Sequence, residues 1–171
     1  TSVLQNCDSL LLGKLFDKTF LATGASGGMF AITYLRELFL QKKEGFPINM
    51  GNSRYAYNVS KDLLNPIALS ILSNDALFPI HKFKLGDQQY FKDRGYIFEK
   101  TYCRNTNFRF DKTIDDYRQA EFSAKVPLVI YYTTIMNDSR RYFISAQPVS
   151  FLMRPHGKNA LDNKLEIDGI D

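Results

Sequence analysis

An α/β fold, with helices covering both faces of a sheet, is what this sequence predicts. Three observations carry that expectation. Strand-like and helix-like stretches alternate along the chain. The short run Thr19-Phe20-Leu21-Ala22-Thr23 is β-prone and apolar on both faces, and a glycine-rich turn after it opens directly into a long helical period. A strand with no polar face needs cover on both sides, which a helix-sandwiched sheet provides.

Taken in order, residues 3 to 16 carry Leu4, Leu10, Leu11, Leu12, Leu15 and Phe16, the makings of a short amphipathic helix. After the strand and turn, Ala31, Tyr34, Leu35 and Leu38 fall at i, i+3, i+4 and i+7, one face of a helix. Lys42 and Lys43 suit the negative end of its dipole, Gly45 can take a left-handed stop, and Pro47 prevents continuation. Asn65-Pro66 reads as a cap with proline at the first helical position. Asp93 reads as the cap of a helix carrying Tyr96, Ile97, Phe98 and Tyr102. Thr113-Ile114-Asp115-Asp116 resembles a capping box ahead of Tyr117 and Phe122. Residues 128 to 136 form a strongly β-prone run, Asn137-Asp138-Ser139 signals a turn, and residues 140 to 145 return as a partner strand. The polar tail from Pro155 to the end shows no period.

Composition narrows the class. A chain of 171 residues is sized for one domain with a core, and 14 Phe with 10 Tyr set it apart from disordered sequences. The net charge of +4 is spread with no run of five or six like charges, so no nucleic-acid face is expected. Cys7 and Cys103 lack a CxxC spacing and read as free, buried thiols; His81 and His156 are too isolated for a metal cluster. No residue cluster implies a metal or organic cofactor. No stretch approaches the ~18 apolar residues of a membrane span, and an intracellular or membrane-peripheral location is expected. The chain starts at Thr1 and reads as a segment of a longer protein.

Gly24-Ala25-Ser26-Gly27-Gly28 is a GxSxG match, and its context is what gives it weight. A serine nucleophile must stand out from the backbone at a sharp strand-to-helix turn so that its hydroxyl reaches a carbonyl carbon. The flanking Gly24 and Gly28 are expected to permit close approach of strand and helix, where a Cβ would collide. The helix that follows aims its positive end at the site, and the Gly27 N–H is placed to donate to an oxyanion.

The segment Thr23-Gly24-Ala25-Ser26-Gly27-Gly28-Met29, continuing to Tyr34-Leu35-Arg36-Glu37-Leu38, resembles the elbow and following helix of bacterial patatin-like phospholipases. Further matches are Lys61-Asp62-Leu63-Leu64-Asn65-Pro66, Lys92-Asp93-Arg94-Gly95-Tyr96 and Asn137-Asp138-Ser139-Arg140-Arg141 before Ile144-Ser145; the resemblance spans roughly residues 9 to 153. It implies a three-layer α/β/α domain with a central, largely parallel sheet, present here in part. It also implies a lipid acyl hydrolase that uses a Ser-Asp dyad through an acyl-enzyme, on a lipid or membrane-surface acyl ester. The family's GxGxxG oxyanion loop has no counterpart before Thr19, and its first strand is expected outside the chain. Asp168, in Asp168-Gly169-Ile170, is the dyad candidate within the sequence. Its third residue departs from the family's Gly or Ala, so the dyad aspartate is expected beyond residue 171.

Two other functions fit parts of the pattern. A Ser-His-Asp esterase would need His156, with an acid such as Asp138 between it and Ser26 in sequence. A binding or scaffold domain could keep the architecture without chemistry. Tyr55, Tyr57, Tyr90, Phe91, Tyr96 and Phe98 read as core or lid packing before acyl-groove lining, and Arg140 with Arg141 as a solvated hairpin flank before a phosphate site.

Overall fold

The computed structural model describes residues 1–75, 81–135, 137 and 141–152, and shows a mixed α/β chain with a small mixed sheet. Two compact units emerge: one from residues 1–52 with the described residues from 112 onward, the other from residues 53–111.

The first unit holds helices α1 (Ser2–Leu10), α2 (Leu15–Lys18), α3 (Gly27–Lys43) and α7 (Arg118–Phe122), with strands β1 (Leu21–Gly24), β4 (Leu128–Thr134) and β5 (Arg141–Ile144). The expected single helix over residues 3–16 is broken in two. Leu12 and Gly13 take positive φ angles of 54° and 76°, and the Asp8 carboxylate accepts the Leu15 N–H at 2.9 Å to start α2. Leu10 and Leu12 stay exposed in consequence. Buried Gln5 holds α1 down by donating to the carbonyls of Met50 (2.8 Å) and Asn52 (2.9 Å).

The sheet runs β1-β4-β5. β1 pairs with β4 in parallel, with Gly24 opposite Tyr131, and β4 pairs with β5 antiparallel, with Tyr131 opposite Ile144. The expected return strand is therefore present over Arg141–Ile144. Among the described residues β1 is an edge strand whose residues alternate between exposed and half-buried, so the double-sided cover expected from its apolar sequence is not what surrounds it.

Helix α3 is the core element. Tyr34, Leu35 and Leu38 are fully buried as the period requires, and Phe39 stacks on Phe16 at 5.4 Å. An amphipathic helix would leave the opposite face wet, yet Arg36 and Glu37 are each 1% exposed. Both charges are compensated inside the fold: Arg36 by Glu121, and Glu37 by Lys112 (3.0 Å), Gln41 (2.6 Å) and the Tyr117 hydroxyl (2.6 Å).

The second unit holds α4 (Ser53–Ser60), α5 (Leu64–Ser70) with a π-helical turn over Ile71–Asp75, the hairpin β2 (Lys82–Leu85) and β3 (Gln88–Phe91), and α6 (Arg94–Asn105). Asp93 caps α6 as expected, accepting the Tyr96 N–H at 3.1 Å. At α5 the expected cap is displaced. Asp62, three residues before Asn65, accepts the N–H groups of Leu64 (2.9 Å) and Asn65 (3.2 Å), and Pro66 falls inside the first turn, where its missing N–H costs nothing. The capping box before Tyr117 is half formed in the first unit: Asp116 accepts from the Thr113 N–H (2.6 Å) and hydroxyl (2.9 Å). Those bonds hold the Asp116 carboxyl below its ordinary range.

Candidate active site

Everything about the GxSxG segment turns on backbone shape. β1 ends at Gly24, α3 begins at Gly27, and Ser26 is the junction residue with φ 50° and ψ −133°. A residue with a Cβ pays about 1–3 kcal/mol to sit in so sparsely populated a region. The usual reward for a serine at a helix N-cap is a hydrogen bond from its hydroxyl to a first-turn amide. Ser26 makes no such bond, its side chain is exposed, and its hydroxyl has no hydrogen-bond partner among the described residues. The strained turn therefore presents a hydroxyl outward at the positive end of a 17-residue helix.

The amides around it divide cleanly. Gly28 N–H donates to the Ala25 carbonyl at 3.0 Å and Met29 N–H to the Ser26 carbonyl at 3.1 Å, closing the first turn. Gly27 N–H, next to the serine, has no acceptor among the described residues. It is the donor a tetrahedral oxyanion would find.

The glycines do different work. A Cβ on Gly24 would lie 3.0 Å from the Met29 nitrogen and 3.1 Å from both the Gly28 carbonyl carbon and Ile32 Cδ1, so the strand and helix touch there. A Cβ on Gly28 would meet nothing within 4 Å, nor would one on Gly27. The collision expected at both flanking glycines is thus real at Gly24 alone.

No match to the chain emerges from comparison with protein-family models, curated proteins or solved structures.

Of the other expected site residues, Asp168 lies outside the described residues, as do His156, Asp138 and Arg140. Among the described residues no acid or histidine hydrogen-bonds Ser26, and no three His, Cys, Asp or Glu side chains group to hold a metal ion. His81 is exposed, and so is Arg141 on β5. Cys7 and Cys103 are unpaired; Cys103 is buried as expected, whereas Cys7 is only half-buried. The six aromatics of the middle segment all fall in the second unit and none is itself buried, though Phe98 stacks on buried Tyr102 at 6.2 Å. Tyr90, Phe91 and Tyr96 line a cleft of about 370 Å³, with Phe83 between Tyr90 (5.7 Å) and Tyr96 (4.6 Å). In the first unit a groove of about 460 Å³ opens beside Thr19 and Phe20, at the end of β1 away from Ser26.

Behind the elbow sits a polar cluster that the sequence reading missed. Arg36 pairs with Glu121, lies 3.8 Å from the Tyr117 ring centre, and donates to the Tyr131 hydroxyl at 3.1 Å; that hydroxyl is 2.6 Å from Thr33 Oγ1. Burial pushes the Glu121 carboxyl up even against Arg36, and burial likewise raises the Tyr131 and Tyr117 hydroxyls, the latter helped by Glu37. A charge pair inside the apolar run Tyr34-Leu35-Arg36-Glu37-Leu38-Phe39 was its one visible signal, since charges flanked by large apolar residues on a core helix need partners.

Proposed function

We propose that this chain carries the nucleophile of a serine lipid acyl hydrolase of patatin-like, three-layer α/β/α architecture. The single observation that carries the reading is a junction serine that accepts backbone strain yet makes no cap. In the reaction the Ser26 hydroxyl oxygen attacks the acyl carbonyl carbon while its proton passes to a carboxylate base. The Gly27 N–H donates to the developing oxyanion, the tetrahedral adduct expels the alcohol, and the alcohol takes the proton. Water then adds to the acyl-serine by the same route and releases the fatty acid. The lipid class of the substrate and the aspartate base rest on the resemblance of residues 23–38 to the patatin-like elbow. Asp168 is the base candidate inside this sequence, and the resemblance favours one beyond it.

The test is hydrolysis of a short-chain p-nitrophenyl ester and of phospholipid in mixed micelles by the full-length protein. Ser26→Ala is expected to lower kcat by more than about 10³-fold with the fold retained. Turnover that survives the substitution sinks the reading. So does a folded wild-type protein inert to both esters, which is the behaviour of a scaffold domain. Asp168→Asn assigns the base: activity retained places it elsewhere, and activity lost places it at Asp168.

A further inference from the structure

The polar cluster behind the elbow has a direction, and the direction follows from counting protons. Thr33 Oγ1 lies 2.8 Å from the Met29 carbonyl, which can only accept. A hydroxyl has one proton, so Thr33 spends its proton there and must accept at its other short contact, 2.6 Å from the Tyr131 hydroxyl. Tyr131 therefore donates to Thr33 and accepts from Arg36, whose guanidinium has no acceptor atom (3.1 Å). Arg36 is anchored in turn by Glu121, which also accepts the Val129 N–H of β4 at 3.3 Å. At the other end, Met29 N–H donates to the Ser26 carbonyl at 3.1 Å. Met29 is thus gripped at its carbonyl by Thr33 and at its amide by Ser26. Tyr131 is also the register partner of Gly24 across β1 and β4.

We propose that Tyr131 and Thr33 are positioning residues for Ser26: a one-way hydrogen-bond chain, Arg36 to Tyr131 to Thr33 to Met29, fixes the first turn of α3 and with it the strained junction and the free Gly27 amide. The proposal rests on the hydrolase reading of that junction. Two further features support it. Burial keeps the Tyr131 hydroxyl protonated far above neutrality, so the chain keeps its donor. Among the described residues the cluster also leaves Arg36 Nε and Glu121 Oε2 buried without partners, an arrangement that an apolar repacking would match for stability. What an apolar repacking could not supply is the pull on the Met29 carbonyl.

The test uses a fluorophosphonate probe on the full-length protein, reading the maximal inactivation rate separately from the half-saturating probe concentration. Tyr131→Phe and Thr33→Val each lower the maximal rate by between about tenfold and 100-fold, the scale of a small misplacement of a reacting group. The half-saturating concentration stays unchanged, because the chain acts on Ser26 through the Met29 backbone. Thr33→Ser, which keeps the hydroxyl, restores the rate, and the double variant is no slower than either single one. Amide hydrogen exchange supplies a readout independent of chemistry: Met29 loses protection in both variants while the amides of α6 in the other unit do not. If the wild-type protein labels and the variants label at the same maximal rate, the positioning role is wrong and the hydrolase reading stands. If the wild-type protein does not label, the hydrolase reading fails and takes the positioning role with it. Equal loss of protection at Met29 and in α6 means general destabilisation and overturns the proposal as well.

Discussion

At the scale of residues, the two flanking glycines make opposite predictions. Gly24 is pressed against the first turn of α3, with backbone atoms 3.0 and 3.1 Å from where a Cβ would go, and backbone cannot yield as a side chain tip can. Gly24→Ala is expected to cost about 1–3 kcal/mol, the range for overpacking a close contact, and to slow acylation by tilting the junction. Gly28 is helical and faces open space. Gly28→Ala is expected to hold or raise stability by up to about 1 kcal/mol, the helix-propensity gap between the two residues. Thermal melts of the two variants check both signs, and a destabilised Gly28→Ala would mean that something covers that face. The motif itself was legible in the sequence because spacing alone defines it. Which glycine the packing demands was not, because that depends on the angle at which β1 meets α3.

At the scale of elements, capping was read from the sequence with mixed success, for a physical reason. Asp93 caps α6 where the sequence places it, its carboxylate accepting the Tyr96 amide. At α5 the carboxylate of Asp62, which the sequence pattern did not single out, takes the first amides ahead of Asn65, so the helix starts sooner. Asp93→Ala is expected to destabilise the second unit by about 1 kcal/mol, and chemical denaturation followed by circular dichroism measures it. An unchanged midpoint would show that water replaces the cap at no cost. The hairpin Lys82–Leu85 and Gln88–Phe91 went unread although Gly86-Asp87 between two short runs is a two-residue turn signal, and Gly86 does take a positive φ of 59°. The split at Leu12-Gly13 could not be read, because leucine at positive φ is held there by the Asp8 carboxylate pulling α2 into place.

At the scale of the whole molecule, the first unit is organised around one helix buried on all sides from Tyr34 to Leu40, and the cost of its two charges is met by a network drawn from α7, β4 and the turn before them. The parallel pairing of β1 with β4 joins segments about a hundred residues apart and emerges only when the chain is folded. The network predicts alkaline sensitivity. Tyr117 and Tyr131 have raised values in the folded state, so between about pH 10, where a free tyrosine ionises, and their folded values the native chain binds more protons than the unfolded one. Stability is then full below about pH 10 and falls as pH rises. Denaturation midpoints collected from pH 8 to 12 are expected to decline, and less steeply in Tyr117→Phe and Tyr131→Phe. A slope identical in all three proteins would mean that neither hydroxyl is buried as described. Among the described residues no helix is long and apolar enough to cross a membrane.

The most direct test of the central claim is to find where a covalent acyl-type inhibitor lands. The full-length protein is treated with a fluorophosphonate, digested with trypsin and sequenced by mass spectrometry. The account predicts an adduct on the peptide spanning residues 19–36, on Ser26 and lost in Ser26→Ala. An adduct on a different serine, or a folded protein that takes up no probe, contradicts it.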